Sequence, residues 1–501
     1  MGKWCCQRRI IKIEILMKLN DLINDKRLSK NNINILGLSE NSTEIKSNYI
    51  FFLKNTKNFK RKYINDAIDN GAKLIIYEKS KTFNLKNLQN NCLFYEVKDL
   101  TKFMSKISIR FFNIKKNSIK IFGVTGTNGK SSVVSYISQL LEKNNEKCGI
   151  IGTLGTGIYP DVRGNNLTTP NIIDTCKIIN NYNKKGVSNF AMEVSSHGLS
   201  QNRVFGLDFN TVIFTNLTRD HLDYHKNMRN YFNTKLKLFN EHNNKKKVVS
   251  IDNYYGKKIF NIYKKDKNIR TVSLYNRSAT FYASNITYLE SGINFCINSI
   301  YGKKNISTKL YGNFTIENIL LAIATIAKNK KEYNFFSDRI SNLKPLDGRL
   351  NKYYKKNFPI VFVDFAHTPD AIKKTLVSIK KHYPEKDIIT LFGCGGERSS
   401  DKRKVMGSIA DKYSNEIIIT NDNPRNENPN KIVNQIVEGI NKNSNYRVIF
   451  NRSSAIKYCI TSKNKNKIVL ILGKGHEKKQ IQKNKVVYFS DKEEVQRAFK
   501  L

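Results

Sequence analysis

The chain has 501 residues, too many for one hydrophobic core, and its length predicts about three domains of ~100–200 residues each. Apolar residues make up 40% of it, enough to pack globular domains, and no run nears the ~20 apolar residues of a membrane span. The formal charge of +46 is spread along the whole length, lysine mixed with asparagine and isoleucine throughout, which reads as a solvated surface and not a nucleic-acid footprint.

In chain order, M-G-K-W-C-C places Cys6 where a myristoylation signal needs Ser or Thr, and Arg8, Arg9, Lys12 and Glu14 break up any signal-peptide core. An ordinary helical pattern begins at Met17, so residues 1–16 read as an extension ahead of the true start. Strand-like runs follow at Ile33 to Leu38 and Tyr49 to Leu53, then a helix-to-strand unit from Tyr63 to Tyr77 with Gly71 at the helix C-cap. These elements make a first domain, 1–98. A second, 99–346, holds strands at Ile119 to Phe122, Asn189 to Glu193 and Thr211 to Thr215, and a weakly patterned stretch from 268 to 312. In the third, 347–501, short apolar strands alternate with helices, at Ile360 to Asp364, Ile388 to Phe392, Glu416 to Thr420 and Ile468 to Leu472. Nearly continuous β-branched runs suit strands buried on both faces, hence an α/β fold with parallel sheets. The eight cysteines (Cys5, Cys6, Cys92, Cys148, Cys176, Cys296, Cys394 and Cys459) form no C-x-x-C pair and fit free thiols in a reducing cytoplasm.

The most informative stretch is G-V-T-G-T-N-G-K-S-S at 123–132, set between a strand and the helix-compatible Val133 to Glu142. Gly126 and Gly129 let backbone N–H groups approach anionic oxygens, and the helix N-terminus adds its positive dipole. Lys130 would reach terminal phosphates, and the hydroxyl of Ser131 or Ser132 would take Mg²⁺. Val124 stands where the Walker pattern has its first glycine. Two further clusters lie just beyond strands, where ligands collect in open α/β sheets: M-E-V-S-S-H-G-L at 192–199 and F-T-N-L-T-R-D-H-L-D-Y-H at 214–225. Glu193 could supply a hard oxygen to Mg²⁺ and His221 a nitrogen.

With T-T-P at 168–170, V-D-F-A-H-T-P-D at 363–370, F-G-C-G-G-E-R at 392–398, D-N-P-R at 422–425 and G-K-G-H-E at 473–477, this chain resembles the Mur ligase family of ATP-dependent amide ligases. The motifs occur in family order and cover about residues 30 to 491. The resemblance implies a small uridine-nucleotide-binding domain, a central P-loop ATP-binding domain and a Rossmann-like C-terminal domain, with hinges near 98 and 346. It implies a cytoplasmic monomer in peptidoglycan precursor synthesis, without nucleic acid or membrane insertion. ATP would phosphorylate the terminal carboxylate of UDP-N-acetylmuramoyl-L-alanyl-D-glutamate, and the amine of meso-2,6-diaminopimelate would attack the acyl phosphate.

By the same resemblance, Gly126, Thr127, Asn128, Gly129, Lys130, Ser131, Ser132, Asn318, Arg349, Asp364 and His367 bind ATP. Thr168, Thr169, Ser195, Gln201, Arg203 and a carbamylated Lys235 take the UDP-muramoyl dipeptide, while Ser131, Glu193, His221 and the same Lys235 hold Mg²⁺. Arg398, Asp422, Asn423, Pro424, Arg425, Gly473 and Glu477 line the diaminopimelate pocket. There a guanidinium at Arg425 would pair with the distal carboxylate that lysine lacks, and Glu477 would receive the distal ammonium. Departures from the family pattern are Glu40-Asn41-Ser42 in place of D-S-R, Ser399 after Arg398, and Thr315 for the first asparagine of G-x-F-N-x-x-N. Two rival readings are a folylpolyglutamate-synthetase-like ligase, which lacks D-N-P-R, and a basic nucleic-acid-binding ATPase, for which no recognition motif is present.

Overall fold

The computed structural model describes residues 15–28, 33–54, 60–79, 92–115, 118–164, 167–398, 400–461, 466–483 and 485–500. Residues 1–14 of the expected extension, Cys5 and Cys6 among them, and Ser399 lie outside these. The contacts divide the chain into two units. One comprises the residues up to Ile119 with Pro170–Gly186 and Gln201–Asp208, and the other comprises Lys120–Thr169, Val187–Ser200 and Phe209 onward.

The first unit holds a parallel four-stranded sheet in the order Gly37–Ser39, Tyr49–Leu53, Ala72–Glu78, Leu93–Val97. The helix Lys62–Asp69 buries Ile64 and Ala67 against Phe51, Leu53 and Ile75. It ends as expected at Gly71, whose φ of 95° is open to glycine. The expected strand Ile33 to Leu38 splits into Asn34–Ile35 and Gly37–Ser39. The departure at Glu40-Asn41-Ser42 forms a turn in which Asn41 Oδ1 accepts the Thr43 N–H at 3.2 Å, and Glu40 Oε1 accepts Asn171 Nδ2 at 3.2 Å. Leu100–Phe111 and Ile172–Asn183 are helices of this unit, capped by Asp99 and Asn171. The expected boundary at 98 therefore falls one helix ahead of the break in contacts.

The second unit contains an 11-stranded sheet and a 6-stranded sheet. The core of the larger sheet runs Cys148–Gly152, Asn189–Glu193, Lys120–Thr125, Phe209–Phe214, Asn244–Ser250, Ile269–Ser273, all parallel. From Lys120–Thr125 the chain first adds strands on one side and then on the other. The carboxyl ends of Lys120–Thr125, Asn189–Glu193 and Phe209–Phe214 therefore meet where the winding reverses, the place where such sheets bind ligands. The stretch 268–312 resolves into Ile269–Ser273 and three further strands, Phe281–Leu289, Gly292–Ser299 and Gly302–Thr308, the last two added antiparallel. Helix Asn313–Ile326 is apolar on nearly all sides because nearly all of it is buried. The smaller sheet runs Asn351–Tyr353, Ile360–Asp364, Lys467–Leu472, Asp387–Phe392, Glu416–Ile419, Tyr446–Val448, with only the first strand antiparallel. Among the described residues, no helix is long and apolar enough to cross a membrane.

Candidate active site

The phosphate loop leaves strand Lys120–Thr125 and enters helix Lys130–Glu142. Gly129 takes φ 87°, and a Cβ on Gly126 would collide with the Thr215 hydroxyl, so the turn needs glycine at both positions. Lys130 Nζ donates to the carbonyls of Gly126 at 3.0 Å and Thr127 at 2.8 Å. Burial lowers the Lys130 ammonium from its ordinary pKa, opposed by the carboxylate of Glu193. Asn128 accepts the Thr215 hydroxyl and Asn216 Nδ2 through its carbonyl, while its own Nδ2 is buried without a partner. Across from the loop, Arg349 donates to the Ser131 hydroxyl at 3.3 Å, lies 4.7 Å over the Phe365 ring, and keeps a buried Nε unpaired. Unpaired donors on Asn128 and Arg349 beside a helix N-terminus suit a polyanion.

Asn128, Gly129, Ser132, Asn318, Arg349 and Asp364 line one pocket. Asp364 mainly shapes it: its carboxylate accepts the Leu350 N–H at 3.1 Å and the Thr375 hydroxyl at 2.9 Å, fixing the turn that carries Arg349. His367 is turned onto the Phe365 carbonyl at 2.8 Å and is not part of the pocket wall.

Glu193 is buried at the end of its strand, with Oε1 accepting the Thr153 N–H at 2.8 Å and Oε2 the Thr153 hydroxyl at 3.2 Å. Thr153 Oγ1 is 3.1 Å from Thr168 Oγ1, and Thr169 Oγ1 donates to Ser195 Oγ at 3.0 Å, so the three threonines and Ser195 form two hydroxyl pairs. Gln201 and Arg203 belong to the first unit, where Arg203 Nε donates to Gln201 Oε1 at 2.9 Å.

Lys235 is 1% exposed, donates to the Gly126 carbonyl at 2.8 Å and lies 4.7 Å over the Tyr231 ring. Burial and the neighbouring Lys130 charge drive its pKa well below the ordinary lysine value. His221 stands at φ 53° with Nε2 3.5 Å from Asp220, and burial pushes its imidazole down to about 4. For Mg²⁺ the fit is one of hard oxygens: Ser131 and Glu193 face the same cleft. Among the described residues no three His, Cys, Asp or Glu side chains converge as a metal cluster.

On the smaller sheet, Asn423 Nδ2 donates to Glu477 Oε2 at 2.9 Å, and Lys474 Nζ joins Asn423 Oδ1 and Glu477 Oε2, each at 3.1 Å. Arg425 adopts φ 53°, with its N–H on the Ile481 carbonyl at 3.0 Å and Nη1 on the Gly396 carbonyl at 2.7 Å. Asp422 is buried against Gly473, burial raising its carboxyl, and the Pro424 carbonyl packs onto Gly396. Arg398 is exposed beside Gly395. The glycine loop at 395–398 is held from behind by Arg403, whose buried guanidinium donates to both Glu427 oxygens, at 2.6 and 2.8 Å, and to the Gly395 carbonyl at 3.1 Å.

That pair predicts an acid response. Arg403 lowers the Glu427 carboxyl from 4.5 to about 2, so its stabilisation is complete above pH 4.5 and is lost as pH falls through about 2. Glu427→Gln should remove on the order of 2 kcal/mol of stability at neutral pH and flatten that window. Urea unfolding near neutrality and in acid checks it; parallel acid losses in both proteins would sink the idea.

Residue reading missed several polar groups here. Lys474 and His476 sit inside the quoted G-K-G-H-E, and Glu317 sits two residues after Thr315. Asn216 and Tyr231, whose hydroxyl is 3.2 Å from Thr127 Oγ1, brace the phosphate loop from behind.

One cleft of about 780 Å³ is walled by Ser131, Thr153 and Glu193 on the large sheet and by Asn423, Arg425 and Glu477 on the small one. A phosphate loop facing an Asn-Pro-Arg turn across such a cleft is the build of a nucleotide-dependent ligase. The chain matches the Mur ligase middle domain over residues 124–326 and the Mur ligase, glutamate ligase domain over residues 348–475, and it belongs to the Mur ligase family. It is 39% identical over 479 residues to the UDP-N-acetylmuramoyl-L-alanyl-D-glutamate–2,6-diaminopimelate ligase of Wigglesworthia glossinidia brevipalpis, covering 93% of this chain and 94% of that one. A solved structure of a ligase of the same description superposes with a TM-score of 0.69 at 27% identity, over 97% of this chain and 99% of the other. The fold is shared with MurF ligase from Thermotoga maritima in complex with ADP, at a TM-score of 0.62 and 16% identity, covering 92% and 96%.

Proposed function

We propose that this chain joins meso-2,6-diaminopimelate to UDP-N-acetylmuramoyl-L-alanyl-D-glutamate, consuming ATP and releasing ADP and phosphate, in cytoplasmic peptidoglycan precursor synthesis. The observation that carries it is the single cleft shared by Ser131 and Glu193 with Asn423, Arg425 and Glu477.

The dipeptide's terminal carboxylate oxygen attacks the γ-phosphorus of ATP, and the bond to the ADP oxygen breaks. The amino acid's neutral amine then attacks the acyl carbon, loses its proton to solvent, and expels phosphate. Both steps gather negative charge, so Lys130 and Arg349 act by position and charge rather than as nucleophiles. Mg²⁺, when bound, supplies further neutralisation of the phosphate and acyl oxygens. Ser131, Glu193, His221 and a carbamylated Lys235 would hold it. Thr168, Thr169, Ser195, Gln201 and Arg203 would engage the muramoyl dipeptide, and the first unit its uridine nucleotide. Arg398, Asp422, Asn423, Pro424, Arg425, Gly473 and Glu477 would form the amino-acid pocket, with the protein acting as a monomer.

Lys235 carries the chemistry that carbamylation requires. Burial that drives the amine's pKa down favours its neutral form, whose lone pair can add to CO₂, yielding a carbamate and a proton. Isotopically labelled bicarbonate should place one carbamate carbon signal on the protein, absent in Lys235→Arg, and activity should fall when CO₂ is stripped from the buffer. No label on the wild type would remove Lys235 from the metal set.

The deciding experiment is ATP-dependent phosphate release with the UDP-muramoyl dipeptide, offering meso-diaminopimelate or L-lysine. Turnover is expected with diaminopimelate alone. Lysine turnover would keep the ligase and overturn the specificity, and silence with both would overturn the function.

A further inference from the structure

Glu317 stands in the nucleotide pocket with no part in the ligation chemistry. It sits near the start of the buried helix Asn313–Ile326, is 9% exposed, and lines the same pocket as Asn128, Asn318 and Lys374. Its Oε1 accepts the Ser250 hydroxyl, and the second oxygen carries no hydrogen bond among the described residues. Burial pushes the carboxyl up to about 7. The charged groups around it are already engaged. Lys374 pairs with Asp370 at 3.0 Å, and Asp252 accepts the Ser273 hydroxyl and, at 2.7 Å, the Leu274 N–H. A buried acceptor with a spare oxygen calls for a ligand that brings a donor.

The rest of the pocket narrows the choice. Thr315 spends its hydroxyl on the Tyr311 carbonyl at 2.6 Å, so it has no donor left for a base. Phe314, Phe365, Ala366 and Ala371 supply flat apolar walls. Purines differ in what they show such a pocket: adenine offers an exocyclic amine beside ring-nitrogen acceptors, whereas guanine and hypoxanthine carry a carbonyl oxygen in the amine's place.

Resting on the ATP-ligase reading above, we propose that Glu317 sets base specificity. Its second oxygen accepts a hydrogen bond from the exocyclic amine of adenine and rejects purines that present a carbonyl there. Rejection belongs to the carboxylate form, against which a 6-oxo purine would bury two acceptors face to face, whereas the protonated carboxyl donates to that oxygen, so the discrimination is read above pH 7.

Equilibrium binding of ADP and IDP to the wild type and to Glu317→Gln, well above pH 7 where Glu317 is a carboxylate, tests this directly. The wild type should favour ADP by about 10²-fold. In the near-isosteric variant the amide carbonyl can still accept Ser250 while the NH₂ faces the base, so the ADP/IDP ratio should collapse by about 10-fold or more. Equal affinities in the wild type would overturn the assignment. So would an unchanged ratio in a variant whose thermal unfolding matches the wild type. Turnover is read separately with ATP and ITP: selective ADP binding without turnover would sink the ligase reading and leave Glu317 as the base reader.

Discussion

Lys130→Met should lower ATP-dependent phosphate release by about 10²- to 10³-fold, with little change in folding stability. The ammonium donates to the Gly126 and Thr127 carbonyls, at 3.0 and 2.8 Å, so it is held over its own loop. Burial destabilises its charge, and phosphate oxygens are the partners that would restore it. The interaction therefore strengthens as charge builds on the transferring phosphoryl group, which is where a cation accelerates a reaction rather than merely binding substrate. Methionine keeps the length and packing of the stem but leaves those carbonyls without their cation. The loss should consequently appear in kcat more than in the affinity for ATP. Lys130→Arg should not restore activity, because a planar guanidinium cannot occupy a point-charge site formed by two carbonyls. An unchanged kcat in a folded Lys130→Met protein would remove this lysine from phosphoryl transfer.

What could be read from the residues was what the chain encodes locally. The phosphate loop was legible because glycine, lysine and hydroxyls act within ten neighbouring positions and need only a strand before and a helix after. The buried parallel strands were legible because both faces are apolar, as at Asn189–Glu193 and Lys467–Leu472. The antiparallel extension was not. Phe281–Leu289 alternates buried and exposed residues, and its outer face blends into a chain full of asparagine and lysine. The site followed the same rule. Lys474 is wholly buried on Asn423 and Glu477, yet nothing in its neighbours separates it from the other basic residues of a chain that carries 87 lysines and arginines. Glu317 lies in an apolar helix, and its meaning comes from Ser250 and Lys374, which reach it from elsewhere in the chain. Side chains that meet only through tertiary packing leave no spacing to read.

Arg425→Asn should cut kcat/KM for meso-diaminopimelate by about 10²-fold and raise the use of L-lysine relative to it. The choice of asparagine follows from the backbone. Arg425 is left-handed at φ 53°, tied by its N–H to the Ile481 carbonyl at 3.0 Å and by its carbonyl to the Lys483 N–H at 2.6 Å. Asparagine tolerates that conformation better than alanine or leucine, so the turn survives and the guanidinium alone is lost. Nη1 already holds the Gly396 carbonyl at 2.7 Å, which aims the fork into the cleft it shares with Asn423 and Glu477. In the proposed reading, a distal carboxylate would meet this fork in two hydrogen bonds. A lysine substrate brings only an ammonium, which Arg425 repels and Glu477 attracts, so removing the arginine removes the repulsion and the recognition together. Arg425→Lys separates the two: it should keep lysine excluded while still losing most diaminopimelate activity, because a point charge cannot make the bidentate contact. If Arg425→Asn used diaminopimelate as well as the wild type, another cation of the cleft, Lys478 or Lys479, would be the carboxylate's partner.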